Sequence, residues 1–227
     1  MKRSRWIAGA AAALVLLAYV AVRAQDEGTH PVSGRHYANT MSAAGASWLD
    51  RSEREDEEAP KKAIGLLGLK PGEVVADVGA GSGYFALKIA EIVGPTGRVY
   101  ATDIQQEMLD IIKAKLGSAP VKNVTLVLGE DDNPKLPAGE IDLVLMVDVY
   151  HELHKPQAVL KNIRTALKPG GRLVLVEYRE EDPKVPIQRL HKMSVATAKL
   201  EVEHEGFTLA KVASDLPWQH LLVFTKK

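Results

Sequence analysis

The sequence of 227 residues predicts one α/β domain, with a mainly parallel sheet that carries helices on both faces. A glycine-rich stretch at 77–83 joins an apolar, strand-like run at 73–78 to a helix-like run at 84–93. A nearly continuous apolar run at 141–147 is typical of a parallel strand covered on both faces. Further helix-like and strand-like runs alternate toward the C-terminus, as crossover connections require.

The stretch at 77–83 reads Asp-Val-Gly-Ala-Gly-Ser-Gly and predicts a turn that binds a nucleotide-type cofactor. Glycines let the backbone approach a ligand closely, and free N–H groups at a helix start offer hydrogen bonds to a polar or anionic group. A dinucleotide fingerprint needs its third glycine five residues after the first, where this chain has Tyr84. The third glycine here is Gly83, one residue earlier.

This pattern, Asp-x-Gly-x-Gly-x-Gly, resembles motif I of the class I S-adenosylmethionine-dependent methyltransferases. The resemblance implies a Rossmann-like seven-stranded methyltransferase sheet and S-adenosyl-L-methionine as the cofactor. It implies that Asp77 reaches the methionine end of the cofactor, usually through water. The turn residues implied to bind the cofactor are Gly79, Ala80, Gly81 and Gly83.

The next strand-like run, 98–103, ends in Asp103, which is placed to accept hydrogen bonds from both ribose hydroxyls. Enzymes that use NAD share this device, so Asp103 predicts an adenosine ligand without choosing the cofactor. By resemblance Ile104 would pack against the adenine, although burial in the core is an equal alternative. A Leu-Lys-Pro-Gly-Gly run at 167–171, ahead of a hydrophobic strand, is a frequent landmark of the same family.

The loop after the predicted strand at 124–128 is acidic. In the family an acidic residue just past this strand commonly accepts a hydrogen bond from the adenine amino group. Asp131 is our first choice and Glu130 the second, with Asp132 beside them, while a merely solvated loop is the alternative. Asp148, at the carboxyl end of the next strand, is also predicted to face the ligand.

His151 follows the same strand end and is the best-placed general base for a hydroxyl acceptor. Tyr178 and Glu177, at the end of the fifth predicted strand, are second choices, and a structural role for His151 is the alternative. No metal is expected, because no third ligand at a characteristic spacing accompanies His151 and His154. The residues that could line an acceptor pocket are Trp48, Tyr37, His191, Trp218 and His220.

Hydrophobic spacing in the rest of the sequence predicts the other helices and strands and the limits of the domain. Helices are expected at 48–69, 156–167 and 186–205, and late strands at 172–178, 207–212 and 220–225. The charged run at 51–58 is interpreted as a solvated helix face near the mouth of the site. By resemblance the final strand is reversed and lies beside the sixth. We expect an N-terminal extension and helix at 25–59 and the methyltransferase domain at 60–227.

The first 24 residues predict a signal peptide. Lys2, Arg3 and Arg5 precede an apolar run at 6–22, and the small residues Val22 and Ala24 suit a signal peptidase. The apolar run is shorter than the roughly 20 residues that span a bilayer, so we expect cleavage after Ala24 and a periplasmic protein. An uncleaved, outward-facing inner-membrane anchor is the alternative, and the only expected membrane contact. The absence of cysteine excludes a disulfide.

The net charge of the chain and its predicted export narrow the possible classes of function. Without the four basic residues of the predicted signal, 25 basic residues remain against 29 acidic ones, which weighs against a nucleic-acid partner. An active methyltransferase with a small-molecule acceptor is the leading prediction. A cofactor-binding module without turnover is second, because S-adenosylmethionine is made in the cytosol. A nicotinamide oxidoreductase is third, since Tyr84 breaks the dinucleotide fingerprint. The sequence predicts neither the acceptor atom nor the oligomeric state.

Overall fold

The computed structural model describes residues 28–227 and builds them around one central sheet. The predicted signal segment at 1–24 lies outside the described residues. Among residues 28–227, no helix has the length and apolar character needed to cross a membrane. The strands in chain order are β1 Val74–Val78, β2 Arg98–Asp103, β3 Val124–Leu128, β4 Ile141–Val147, β5 Leu167–Arg179, β6 Lys192–Met193, β7 Phe207–Ala213 and β8 Gln219–Lys226.

The sheet runs in the order β3-β2-β1-β4-β5-β8-β7, with the two-residue β6 paired to β5. Strands β1 to β5 pair in parallel, whereas β8 is antiparallel to both of its neighbours, β5 and β7. The α/β class, the seven main strands and the reversed final strand are therefore confirmed. The short strand β6 is an addition that the sequence did not predict.

The α-helices are α1 Arg54–Glu57, α2 Pro60–Leu66, α3 Tyr84–Val93, α4 Gln106–Ser118, α5 Pro156–Ala166 and α6 Val195–His204. Short 3-10 helices occupy Ala43–Asp50, Tyr150–Glu152 and Arg189–His191. The predictions at 84–93 and 156–167 are confirmed, because α3 and α5 fill those ranges. Helix α4 follows β2 and was not predicted.

The single helix predicted at 48–69 is wrong. The chain there forms a 3-10 helix and two short α-helices. The break falls at Pro60, the first residue of α2, where proline has no N–H to continue an earlier helix. Ala59, just before it, has a left-handed backbone with φ of 50°. Proline disfavours helical geometry in the preceding residue, so the chain turns sharply at this point.

The helix predicted at 186–205 is also wrong in its first half. Only Val195–His204 is α-helical, and its start is set by Ser194, whose Oγ accepts a hydrogen bond of 3.1 Å from Thr197 N. The preceding residues form the 3-10 helix Arg189–His191 and then β6, which pairs with Tyr178 and Arg179 of β5. This segment therefore lies against the carboxyl end of β5.

Two buried layers flank the sheet, one on each face. Along β4, Leu143 and Leu145 belong to one layer, while Val144 and Met146 belong to the other. Each of these side chains is fully buried, and burying such a side chain stabilises the fold by about 1.5 to 3 kcal/mol. A strand covered on both faces explains the nearly continuous apolar sequence of β4, in which Asp142 is the one polar residue.

The segment before the 3-10 helix Ala43–Asp50 is fastened to the domain by a buried ion pair. Arg35 Nε and Nη2 each donate a 3.1 Å hydrogen bond to the carboxylate of Glu201 on α6. Arg35 Nη1 also donates to the carbonyl of His151 at 2.9 Å. Glu201 is fully buried, so its charge depends on this arginine. The ion pair therefore ties the N-terminal segment to both α6 and the loop after β4.

We expect Arg35→Ala to lower the free energy of unfolding by about 3 to 5 kcal/mol, because the buried Glu201 carboxylate loses its guanidinium partner and keeps the Ser33 hydroxyl as a donor. Urea unfolding monitored by circular dichroism measures this. Arg189→Ala is the matched control, since the Arg189–Glu180 pair is exposed and should change stability by less than about 1 kcal/mol. Equal losses in the two variants would contradict the assignment.

Candidate functional site

A cavity of about 380 Å³ opens at the carboxyl ends of β1, β2, β4 and β5. Beside β1 the strand order reverses direction, and this is where open α/β sheets bind their ligands. Residues from nearly every loop at this edge line it. The predicted site residues among them are Gly79, Gly81, Asp103, Ile104, Glu130, Asp131, Asp148, His151 and Tyr178.

The glycine turn is packed too closely for side chains. Gly79 has φ of 71°, and a Cβ there would lie 2.5 Å from Val149 Cγ2. Gly81 has φ of 53°, and a Cβ there would lie 2.6 Å from Leu49 Cδ1 of the N-terminal 3-10 helix. Both positions therefore need glycine for conformation and for space. The turn presents bare backbone to the cavity.

Four N–H groups of this turn, those of Gly79, Ala80, Gly81 and Gly83, are bonded within the protein, whereas the sequence predicted free N–H groups where the helix starts. Gly79 N and Ala80 N both donate to the carbonyl of Thr102, at 2.8 and 3.0 Å. Gly83 N donates to the carbonyl of Ala80 at 2.8 Å, and Gly83 itself caps α3 outside the main cavity. The turn therefore serves as a closely fitting surface instead of an N–H cradle for an anion.

Asp103 is placed as predicted, at the end of β2 and in the cavity wall. Its Oδ2 accepts from Gly81 N and its Oδ1 from Gln105 N, both at 2.9 Å. Each carboxylate oxygen can accept a further bond, so capacity for ribose hydroxyls remains. Burial raises the pKa of Asp103. The neighbouring Ile104 is 49% exposed, so core burial is excluded, and it lines the cavity.

Two buried carboxyl groups leave an oxygen without a hydrogen-bond partner among the described residues. They are Asp77 Oδ2 and Asp148 Oδ1. Burial raises the pKa of Asp77 to about 7, and the charge of Asp103 adds to this effect. Burial and the charges of Glu58 and Glu177 raise the pKa of Asp148. These groups form an acidic floor that would gain from a nearby cation.

Asp77 and Ala80 lie at a second, smaller cavity next to the first. It measures about 30 Å³ and shares Leu49, Gly79 and Arg54 with the main cavity. A space of this size holds one water molecule. Asp77 therefore lies behind the glycine turn and outside the lining of the main cavity, and its contact with the cofactor through water stays a prediction.

The charged run at 51–58 is not simply a solvated face, as the sequence had suggested. Arg54 and Glu58 are buried and form an ion pair, with Arg54 Nε 2.5 Å from Glu58 Oε2. Glu58 Oε1 also accepts hydrogen bonds from Arg51 at 2.7 Å and from the Tyr178 hydroxyl at 2.8 Å. Because Tyr178 donates to a carboxylate and burial raises its pKa, it does not suit the role of a base.

The acidic loop reaches the cavity with two of its three carboxylates. Glu130 and Asp131 line it, whereas Asp132 does not. Glu130 pairs with Lys135 at 2.6 Å, and Asp131 pairs with Lys155 at 3.3 Å. Both groups are on the surface, so either could turn toward an adenine ring, and the preference for Asp131 stays a prediction.

His151 is buried and held by Glu177, a fully buried carboxylate of β5. His151 Nδ1 donates to Glu177 Oε2 at 2.6 Å, and Glu177 Oε1 accepts from Tyr150 N at 2.9 Å. With Nδ1 carrying the proton, the neutral ring has its lone pair on Nε2. Glu177, named as a second-choice base, is therefore the residue that orients His151.

The Nε2 atom of His151 faces His191, not the nearby His154. His191 Nδ1 lies 3.1 Å away, and Glu152 Oε1 lies 4.0 Å from His151 Nε2. Burial raises the pKa of Glu152 to about 7, and burial together with His151 lowers the pKa of His191. Sequence spacing could not show this pairing, since the two histidines are 40 positions apart.

The predicted acceptor-pocket residues divide into two groups. Trp48 and His191 line the cavity, whereas Tyr37, Trp218 and His220 do not. Sequence reasoning missed several lining residues, namely Thr40, Met41, Leu49, Met108, Leu153, Pro186, Ile187 and Gln188. Most of these are apolar or flank the glycine turn, and nothing in their local pattern marks them as site residues.

Comparison with known proteins gives the same picture as the geometry. A family model described as a methyltransferase domain matches residues 75–171. The chain is 34% identical over 116 residues to the ubiquinone/menaquinone biosynthesis C-methyltransferase UbiE of Ectopseudomonas mendocina, covering 51% of this chain and 45% of the relative. The same protein of Pseudomonas entomophila is 32% identical over 124 residues, covering 54% of this chain and 48% of the relative. The chain thus spans about half the length of these curated relatives.

Solved structures match over more of the chain. A SAM-dependent methyltransferase from Aquifex aeolicus shares 26% identity with a TM-score of 0.76, covering 82% of this chain and 98% of that one. A putative type 11 methyltransferase from Sulfolobus solfataricus, at 20% identity and a TM-score of 0.62, shares the fold over 75% of this chain and 94% of its own.

Fold, motif and comparisons define a Rossmann-like methyltransferase domain. Residues 75–171 match a methyltransferase domain, and over most of its length the chain is similar to a solved S-adenosylmethionine-dependent methyltransferase, which supports S-adenosylmethionine as the cofactor. The residues present fit that cofactor. The turn at Gly79 and Gly81 leaves room only for backbone, and the unpartnered oxygens of Asp77 and Asp148 suit its positive charges.

We expect Asp103→Ala to weaken binding of S-adenosylmethionine and of its demethylated product by about 1.5 to 3 kcal/mol, the range for hydrogen bonds to a charged group. Calorimetric titration of both ligands measures this. Asp110→Ala is the control, because it removes the same charge from an exposed position on α4 outside the cavity. Unchanged affinity in a folded Asp103→Ala protein would remove Asp103 from the cofactor site.

We also expect cofactor affinity to rise by about tenfold between about pH 6 and pH 8. The pKa of Asp77 is about 7 in the free protein, and a bound cation should lower it, so binding releases a proton. Fewer protons in the complex mean tighter binding as pH rises toward 7, with a plateau above. Calorimetric titrations in buffers of different ionisation enthalpy measure how many protons are released when the cofactor binds.

The Asp77→Asn variant should lose most of this pH dependence. Glu152→Gln is the matched control, because Glu152 also has a raised pKa of about 7 and lines the same cavity. If Glu152→Gln flattens the profile and Asp77→Asn does not, Asp77 is not the group that responds to the cofactor.

Proposed function

We propose that this protein transfers the methyl group of S-adenosylmethionine to a small-molecule acceptor that enters the same cavity. The observation that carries the proposal is the continuity of the cavity. Gly79, Asp103 and Asp148 line one part of it, and His151 and His191 line another. A cofactor and an acceptor could therefore meet within one enclosed space. Such orientation can contribute about 7 to 11 kcal/mol to catalysis.

The charge of the cavity favours S-adenosylmethionine over a nicotinamide dinucleotide. The charge of Glu58 raises the pKa of Asp148, the charge of Asp103 raises the pKa of Asp77, and Arg54 forms an ion pair with Glu58. S-adenosylmethionine brings a sulfonium and an ammonium group, which an acidic floor attracts. A dinucleotide would bring an anionic pyrophosphate to a turn whose N–H groups are already bonded. The oxidoreductase alternative is correspondingly weak.

His151 is the group best suited to activate a hydroxyl acceptor. Glu177 holds the ring so that the Nε2 lone pair is available in the cavity wall. The bound cofactor supplies an activated methyl group. The acceptor oxygen would bond to that methyl carbon as the carbon–sulfur bond breaks, while the hydroxyl proton passes to His151 Nε2. Glu177 stabilises the resulting imidazolium through the hydrogen bond at Nδ1.

A second candidate acceptor is an aromatic carbon. The curated relatives are named for C-methylation in ubiquinone/menaquinone biosynthesis, and they match about half of this chain. Outside the positions assigned to the cofactor, the cavity wall includes Trp48, Leu153, Pro186 and Ile187, whose apolar side chains suit a ring. A panel containing both hydroxyl and quinone-ring acceptors would separate the two candidates.

Side-by-side binding of S-adenosylmethionine and NAD to the purified protein tests the cofactor assignment. We expect saturable binding of S-adenosylmethionine and none of NAD. The reverse result would favour the oxidoreductase. Cofactor binding without product on the acceptor panel would favour a module that binds the cofactor and does not turn over.

We expect His151→Ala to lower turnover by about 10² to 10⁴ with little change in cofactor affinity, because a base acts in the transition state. Steady-state kinetics measure the turnover, and calorimetry measures the cofactor affinity.

His154→Ala is the matched control, because this exposed histidine lies three positions away and outside the cavity lining. It should keep wild-type turnover. Full turnover in His151→Ala would return His151 to a structural role and leave catalysis to orientation alone.

A further inference from the structure

Three potential metal ligands converge at one wall of the cavity. They are His151 Nε2, His191 Nδ1 and Glu152 Oε1, and all lie within 4.8 Å of one another. The two nitrogens are 3.1 Å apart, and the carboxylate oxygen is 4.0 Å from His151 Nε2 and 3.9 Å from His191 Nδ1. Two histidines and a glutamate form a donor set that catalytic zinc sites use.

These separations are close to those of a coordinated ion. Bonds of about 2.0 to 2.1 Å at tetrahedral angles separate two ligand atoms by about 3.3 Å. The histidine pair needs to move apart by only a few tenths of an ångström, and Glu152 needs to approach by less than one. Glu152 is partly exposed and comes from the short 3-10 helix after β4, and its carboxylate would exchange a backbone hydrogen bond from Met41 for the ion.

The surrounding residues provide the outer shell that metal-binding histidines require. Glu177 accepts the Nδ1–H of His151 at 2.6 Å, which directs the Nε2 lone pair toward His191 and Glu152. A carboxylate behind a ligating histidine fixes its tautomer and orientation and raises its basicity. His151, Glu152 and His191 all line the cavity, so a fourth coordination position could face a ligand there.

We propose that His151, Glu152 and His191 bind a divalent transition metal ion of the zinc type, with an open position directed into the cavity. A hydrogen-bonded chain from His191 through His151 to Glu177 is the alternative explanation of the same contacts. It would account for the 3.1 Å separation of the histidines but assigns no role to Glu152. The metal site accounts for all three side chains.

A metal ion at this site would restrict which acceptors can react. This extension rests on the proposed methyltransferase function. An acceptor oxygen in the open position would have its hydroxyl pKa lowered by the metal, so it would release its proton to solvent before methyl transfer. His151 would then be a ligand instead of the base. The acceptor class is accordingly one with a metal-coordinating hydroxyl, such as a phenol.

Cobalt titration of the chelator-treated full-length protein tests the site, because Co²⁺ gives visible absorption when bound by such ligands. We expect saturation at about one Co²⁺ per chain, displacement by Zn²⁺ and no displacement by Mg²⁺, which prefers oxygen ligands. His191→Ala and Glu152→Gln should each weaken Co²⁺ binding by at least tenfold. His154→Ala should bind Co²⁺ as the wild type does.

Absence of saturable Co²⁺ binding by the folded wild type would overturn the proposal, as would unchanged binding in both His191→Ala and Glu152→Gln. Circular dichroism establishes whether each variant is folded. If one of the two ligand variants does not fold, the other still tests the metal site. Calorimetry with S-adenosylmethionine on the same samples separates the two ideas. If the protein binds the cofactor but not Co²⁺, only the metal-site proposal is wrong. If it binds Co²⁺ but not the cofactor, only the proposed methyltransferase function is wrong.

Discussion

The hydrogen bonds accepted by Glu177 connect the fold of this protein to its site. This carboxylate is fully buried at the end of β5, and it accepts from Tyr150 N and His151 Nδ1 in the loop after β4. A buried carboxylate needs such donors, because an unpaired one carries a large desolvation penalty. The loop is therefore fixed to the neighbouring strand. Its fixed position aims the His151 Nε2 atom, sets Glu152 beside it and leaves the cavity open.

Several buried carboxyl groups lie together at the cavity. They lower the free energy of unfolding of the free protein but favour binding of a cation. Asp77 and Asp148 each keep an oxygen without a partner among residues 28–227, and Glu58 is nearby. The ion pair of Arg54 with Glu58 offsets only part of this charge. Burying carboxyl groups in this way destabilises the free protein but prepares it for a cation. Attraction between these carboxylates and a sulfonium cofactor would offset this loss of folding free energy when the cofactor binds.

The parts of this structure that the sequence predicted well are those set by local pattern. Strands β2 and β3 follow from short β-prone runs, β4 follows from a nearly continuous apolar run, and the glycine turn follows from its spacing. Failures arose where a distant contact decides the outcome. Arg54 and Glu58 read as solvated charge until Tyr178 of β5 is seen to donate to Glu58. His191 stood in a predicted helix, yet Ser194 starts that helix later and β6 pairs with β5, which brings His191 to His151.

The same reasoning extends to the residues before α1, which form part of the site as well as leading into the domain. Leu49 lies close to Gly81, and Gln105, two positions after Asp103, donates to the carbonyl of Met41 at 2.8 Å. The carbonyl of His151 accepts from Ala38 N at 3.1 Å as well as from Arg35. The N-terminal segment thus touches both the cofactor end and the histidine end of one cavity. Because these contacts hold the segment at both ends, a change in its position would alter the two ends of the cavity together.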